Sequence, residues 1–364
     1  MLSRSIIARF AIPLFAALAL VPAPASRAGY FNPASFTSSG TLNLAPGDYT
    51  INTDGAPTLL DASNNVLFTG TTISQGGGFR DIVSVLTFDS ITVGLGVNIR
   101  VRGENPLALL SKSNVLMRGV IDASGFKGAD SARFGGSGLG GAGGPGAGAG
   151  GNGAGGAGFG PGGGPAGPFG IGAVQAAGGS FGGKGGDSAF GTVGTTYGNL
   201  FGFLEGGSGG GATGGSFFDQ GNGAGGGGGG GAVELGALGV IDFEGGDLIA
   251  NGGGVGGAFA ANAGGGSGGG LRIHAPTIFV RGNTDITATG GPFWGGGGRI
   301  LFLTSTGEIV QTGGNIAAGV GGGANNPTEG TIDYGTLSAV PEPSTFALFA
   351  VGGISLFALS RRKR

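Results

Sequence analysis

The sequence predicts an all-β protein: a parallel β-helix, or solenoid, with long glycine-rich loops, flanked by an N-terminal signal helix and a C-terminal transmembrane helix. Three observations predict it. Alternating apolar and polar residues recur in short runs grouped by three, glycine supplies 95 of the 364 residues in uneven tracts, and each terminus carries one apolar run beside cations.

The N-terminal run comes first. Arg4 and Arg9 precede an apolar stretch from Phe10 to Val21, too short to span a bilayer comfortably, and small residues follow from Ala23 to Ala28. That order is the pattern of a secretory signal peptide, which is removed and takes no part in the fold. Cleavage after Ala25 or after Ala28 fits the small-x-small rule. The site between Ala28 and Gly29 is preferred because it also removes Arg27. A retained N-terminal anchor is the competing reading.

The body shows a unit of three short strands and a glycine run. One copy reads Val233 to Leu235, Ile241 to Phe243 and Leu248 to Ala250; the next reads Leu271 to Ile273, Ile278 to Val280 and Ile286 to Ala288. A third runs through Ile300 to Leu303, Ile309-Val310 and Ile316 to Ala318, and an earlier one through Leu107 to Leu110, Val115 to Met117 and Val120 to Ala123. A looser copy lies at Val85 to Phe88, Ile91 to Val93 and Ile99 to Val101, and Thr331 to Tyr334 begins another. Alternation over three to five positions marks half-buried strands. Three strands per repeat predict triangular coils whose stacking buries an apolar column, over residues 41–337. A β-sandwich with very long loops is the competing architecture. The equivalent alanines Ala250, Ala288 and Ala318 stand 38 and 30 residues apart, whereas Ala123 and Ala250 stand 127 apart, so the longest loops leave between the last two.

Those loops are nearly sidechain-free. Residues 135–172 and 206–231 are mostly Gly with Ala, Ser, Asn and Pro, and lack the every-third-residue glycine of collagen. Such segments bury little apolar surface for their ordering entropy, so flexible loops are expected. A packed bundle of extended polyglycine helices is the alternative.

The tail has three parts in order. Val340, Pro341, Glu342 and Pro343 lead into an uncharged apolar segment from Thr345 to Ser360, and Arg361, Arg362, Lys363 and Arg364 end the chain. The prolines hold the approach extended. Sixteen residues at 1.5 Å each give a helix of roughly 24 Å, a little short of a ~30 Å hydrocarbon core. The four cations act as a basic membrane stop on the cytoplasmic side. This arrangement resembles the PEP-CTERM sorting signal of Gram-negative bacteria. The resemblance implies an exosortase as partner, a membrane-anchored intermediate in the inner membrane, and delivery to the cell surface, outer membrane or extracellular matrix. It covers only the end of the chain and implies no activity; an ordinary C-terminal anchor is the bland alternative.

Charge and residue counts narrow the rest. Removing Arg4, Arg9, Arg27 and the four C-terminal cations from 18 leaves 11 against 20 acids, a net charge of −9 with Glu342 counted. Such a body does not suit nucleic acid. Without cysteine no disulfide forms, and with His274 as the sole histidine no zinc site of several His or Cys is available. No metal and no cofactor is predicted. Asp242 and Glu244 share the outer face of one strand, where i,i+2 spacing of roughly 6.6 Å matches the separation of carboxylates in sugar-cleaving pairs. A solvated strand face is the preferred reading of both, as it is of Asp122 and Asp285. His274 ends a strand and reads as a surface or corner residue. The stretch from Gly182 to Phe190 is a lone near-match to a calcium-binding nonapeptide and lacks a neighbouring copy. Phe159, Phe181, Phe201, Phe293 and Trp294 lie by glycine tracts and either stack on sugars or hold the loops down.

The chain is therefore expected to divide into five parts: 1–28 signal peptide, 29–134 first coils, 135–231 glycine-rich loops, 232–337 further coils, and 338–364 sorting signal with its helix at 345–360. The function the sequence predicts is a non-enzymatic structural or adhesive protein of the surface or biofilm matrix, with signal peptidase and exosortase as processing partners and exopolysaccharide as neighbour. The alternative is an exported polysaccharide-active β-helix lyase or hydrolase, which a groove lined by acids with Arg or Lys would favour.

Overall fold

The computed structural model describes residues 29–131, 136–168, 174–188, 192–214, 222–257, 261–323 and 326–337. The expected signal helix, the transmembrane helix at 345–360 and the residues of the sorting motif and basic tail lie outside these. Among the described residues there is no α-helix, and no helix is long and apolar enough to cross a membrane. The only helical turn among the described residues is a 3-10 turn at Pro33–Ser35, where the Asn32 side chain accepts from the Ala34 N–H.

The chain is nearly all-β. Three large sheets hold six, eight and seven strands, and the pairing is parallel except near the N-terminus. Successive strands visit the sheets in turn. Leu107–Ser111 belongs to the third sheet, Val115–Met117 to the first and Val120–Asp122 to the second. Ala232–Ala237, Val240–Glu244 and Asp247–Ile249 repeat that order, as do Gly270–His274, Thr277–Arg281 and Asp285–Thr287. Arg299–Thr304, Val310–Gln311 and Asn315–Ala317 follow, and Thr331–Thr336 closes the third sheet.

Register explains why these residues form these strands. Leu107 pairs with Val233, Val233 with Leu271, and Leu271 with Ile300. Val115, Ile241 and Ile278 form a second column; Ile121, Leu248, Ile286 and Ile316 form a third. All but the partly buried Ile316 are fully inside one continuous core. Burial of each such side chain is worth about 1.5–3 kcal/mol, which sets the register, since a one-residue slip would turn a whole strand's apolar set outward. The 127-residue interval between Ala123 and Ala250 closes to direct neighbours: the strands on either side of it pair in all three sheets.

The N-terminal end departs from the three-strand rhythm. Gly47–Asn52 pairs antiparallel with Thr58–Leu60, which pairs with Val66–Thr69, and Thr71–Ser74 runs antiparallel to Ile82–Phe88. The Asp61 carboxylate accepts the N–H groups of Ser63 and Asn65, and Asn64 takes a left-handed φ of 62°, so this turn chemistry folds the hairpin.

Among the described residues, the glycine-rich stretches expected as flexible loops instead run as hydrogen-bonded legs, in line with the alternative of a packed polyglycine bundle. Each glycine-rich excursion leaves the body after the second sheet and returns into the third. At four successive levels a returning glycine donates its N–H to a departing alanine carbonyl: Gly231 to Ala123 at 2.8 Å, and Gly269 to Ala250, Gly298 to Ala288 and Gly330 to Ala318, each at 2.7 Å. Between these closures the legs run beside one another with hydrogen bonds at every third residue. Gly225, Gly228 and Gly231 donate to Ala129, Phe126 and Ala123, while Gly226, Gly229 and Ala232 donate to Gly151, Gly148 and Pro145. Gly227 and Gly230 donate to Gly264 and Ser267. The carbonyls of the same stretch accept from Gly138, Gly141 and Gly144, from Gly207, Gly210 and Thr213, and from Gly253 and Gly256. Residues 223–232 thus have hydrogen-bonded neighbours on six sides.

A bond to the same neighbour at every third residue is the repeat of a threefold extended helix of the polyproline II type, with a rise of about 3.1 Å per residue. Such a helix has no internal hydrogen bonds, so all of its backbone groups are free to bond sideways. Glycine is required because the neighbours are too close for anything larger. A Cβ added at Gly225, Gly226, Gly227 or Gly228 would stand 2.0–2.1 Å from a carbonyl oxygen of Leu139, Gly210, Gly253 or Ala142. The entropy of ordering glycine is offset here by backbone hydrogen bonds rather than by apolar burial, a balance that composition does not reveal.

Candidate functional site

The carboxylates singled out in the sequence lie on the sheet surfaces and are tied in ladders. Asp242 Oδ2 accepts from Arg281 Nη2 at 2.7 Å, and Glu244 Oε2 accepts from Arg118 Nη2 at 2.7 Å. Arg281 ends one neighbouring strand of the first sheet and Arg118 directly follows the other, which is why the local sequence shows no cation beside these acids. Asp122 pairs with Arg100 one strand away, and its Oδ1 accepts the Ser124 N–H at 2.9 Å. Asp285 Oδ1 accepts from Asn315 Nδ2 at 3.2 Å. Exposed pairs of this kind contribute about 0–1 kcal/mol each. They decorate a strand face and do not converge on a cleft.

His274 corrects the sequence reading. It is 1 % exposed, on the outer face of the third sheet, where Nε2 stands 2.9 Å from Glu234 Oε1. Arg272 Nη1 donates to Glu234 Oε2 at 2.7 Å, and Arg272 Nε donates to the Leu200 carbonyl at 2.8 Å. The Phe31 N–H donates to Glu234 Oε1 at 2.6 Å, and the Tyr30 ring centroid lies 4.6 Å from that of His274. Alternation correctly places Glu234, Arg272 and His274 on the outward side of their strands. The error is in treating outward as wet, because the N-terminal segment and Leu200 cover this face. Burial pushes the Glu234 carboxyl up, but the Arg272 charge and the hydrogen bonds from His274 and Phe31 outweigh it and leave it below the usual carboxylate range. The Tyr30 hydroxyl is pushed up by burial and by the Glu234 charge. The cluster is closed to solvent, so its chemistry is that of a lock between the N-terminal segment and the sheet.

In the described part of the nonapeptide-like stretch, the acid is tied to a neighbouring cation. Lys184 Nζ donates to Asp187 Oδ2 at 2.8 Å, and this bond with the Val193 N–H holds the Asp187 carboxyl low. Among the described residues no group of three or more His, Cys, Asp or Glu is placed to hold a metal. The aromatics divide. Phe181 and Trp294 are buried and hold tracts to the body, whereas Phe159, Phe201 and Phe293 are exposed.

One cleft, of about 570 Å3, gathers acids with a cation. It lies between the 142–149 tract and the corner carrying Asp54, Arg80 and Glu104. Arg80 Nη1 is 3.8 Å from Glu104 Oε2, and the Glu104 N–H donates to Asp54 Oδ1 at 2.8 Å. Sequence reasoning missed this group because its members come from separate turns.

The C-terminal segment supplies the clearest functional mark. Residues 339–364 match the PEP-CTERM protein-sorting motif, and the match spans Val340, Pro341, Glu342, Pro343 and the four terminal cations. The chain carries this motif, which implies an exported protein that is sorted by an exosortase and processed at the membrane of a Gram-negative bacterium. No curated protein matches the chain, and no solved structure does.

Proposed function

We propose that the chain is a non-enzymatic structural protein of the cell surface or extracellular matrix. Its body is a parallel β-helix carrying a stack of polyglycine helices; its signal peptide is cut between Ala28 and Gly29; and its tail places a transmembrane helix at 345–360 for exosortase. The observation that carries the structural role is the six-sided hydrogen bonding of residues 223–232. So many backbone groups committed to a rigid lattice suit load-bearing or spacing work beside hydrated polysaccharide. The test is fractionation of the native host carrying an internally tagged chain, wild type against Pro341→Ala/Pro343→Ala. Surface or matrix delivery lost in the variant supports the reading; unchanged size and location would reduce the tail to a plain anchor.

The cleft at Asp54, Arg80 and Glu104 favours a second reading, cleavage of an exported polysaccharide. The full chain incubated with neutral and uronate polysaccharides is expected to release no new reducing or unsaturated ends. Release that disappears in Asp54→Asn or Glu104→Gln would make the protein an enzyme.

A further inference from the structure

The outer face of the third sheet ends in a recess that neither the sheets nor the glycine lattice fills. Residues 35–39 run beside the strand Ile82–Phe88 and face the bend at 69–71, flanking a half-open recess of about 450 Å3 with Val85 and Thr87 in its lining. The lining holds no charged side chain and is rich in hydroxyls, among them Ser38, Thr69, Thr71 and Thr87. Phe36 and Val85 add apolar surface.

Thr87 is the telling member. It is 4 % exposed, yet its Oγ1 has no hydrogen-bond partner. Its carbonyl accepts the Ser39 N–H at 2.8 Å, so the covering segment is fixed at this residue while the hydroxyl stays unpaired. A buried hydroxyl without a partner is a desolvation cost that a ligand group can remove.

We propose that this recess binds a neutral saccharide unit of a surface or matrix polysaccharide. Sugar hydroxyls donate and accept, as Ser and Thr hydroxyls do, so the two sets can satisfy each other. Phe36 and Val85 can cover the C–H face of a ring. The recess offers a uronate or sulfate no cation, and a body of charge −9 opposes such ligands further. The size of the recess falls within the ~300–1,000 Å3 usual for small-molecule sites. The ligand class rests on reading the protein as one that works among polysaccharides, and sorting and sugar binding are read by separate assays, so either can fail alone.

The experiment is titration of the full chain, in a detergent without a sugar headgroup, with cellobiose, maltose, lactose and a uronate disaccharide, followed by NMR or calorimetry. At least one neutral disaccharide is expected to bind and the uronate is not. Thr87→Val, which keeps the shape and removes the hydroxyl, is expected to weaken binding about tenfold or more with an unchanged or raised melting temperature. Should Thr87→Val misfold, the rim variant Thr71→Val is expected to weaken binding with normal melting. No neutral binding, or binding untouched by both variants, would overturn the proposal.

Discussion

Two regions of this chain are held together by opposite means. In the three-sheet body, side chains such as Val115, Ile241 and Ile278 stack in an apolar column, and the backbone bonds mainly within its sheets. In the glycine lattice there is almost no side chain to bury, and backbone bonds radiate to neighbours in every direction. The body tolerates no loss of volume; the lattice tolerates no gain. Order in a chain therefore does not require a hydrophobic core, provided that every N–H and carbonyl finds a partner.

The body is the more sensitive of the two regions. Phe243, fully buried in the core, is expected to cost about 3–5 kcal/mol when replaced by alanine. Glu234→Ala, which leaves Arg272 buried without its counter-charge, is expected to cost a similar ~3–5 kcal/mol. Chemical denaturation reads both. Hydrogen exchange on the same variants asks whether lattice amides open with the sheets; persistent lattice protection in Phe243→Ala would show two independent units.

Gly228→Ala attacks the lattice alone. Its new Cβ would lie 2.0 Å from the Ala142 carbonyl oxygen, so overpacking of about 1–3 kcal/mol is expected. A variant as stable as wild type would remove the case for close packing.

Acid is the next probe, and it acts on the body. Glu234, facing Arg272, His274 and Tyr30, has its carboxyl held low in the folded state. Its contribution is therefore complete above the unfolded value of about 4.3 and is lost as pH falls through the lower folded one. Melting temperature should decline below about pH 4. A melting temperature that is flat from pH 5 to pH 2 would refute the lock at the N-terminal segment. The smallest effect belongs to the surface: Glu244→Gln, which weakens the pair with Arg118, is expected to change stability by no more than about 1 kcal/mol.

Much of the body was legible because burial imposes a period of two. Leu107, Val233, Leu271 and Ile300 stand at matching places in their units and meet in one column. The Asp61 to Asn65 turn was legible in principle, as turn residues between short strands, yet breaks the three-strand rhythm that guided the reading. The lattice was legible only as an alternative to flexible loops, a packed polyglycine bundle, and its pairing was not legible at all. Gly226 bonds to Gly141, Gly151 and lies against Gly210, and nothing in a run of glycines records which distant glycine it will meet. The lock at Glu234 was half legible: alternation gave its direction, but what covers it comes from Leu200 in an excursion and from the N-terminal segment some two hundred positions away. The cleft at Asp54 and the recess at Thr87 were illegible for the same reason, since each is assembled across a fold.

The closures at Ala123–Gly231, Ala250–Gly269, Ala288–Gly298 and Ala318–Gly330 give the protein a way to grow. The body meets each excursion at its two ends and the longest one also at Leu200, Leu204 and Glu205, so a leg away from these contacts can lengthen without disturbing it. Because neighbours recur at every third position, a leg extended by three residues returns to phase, whereas one or two added residues would point every bond at the wrong partner. Length variation in these arms should therefore come in triplets of residues, nine nucleotides at a time, and replication slippage within glycine codons would supply the raw material.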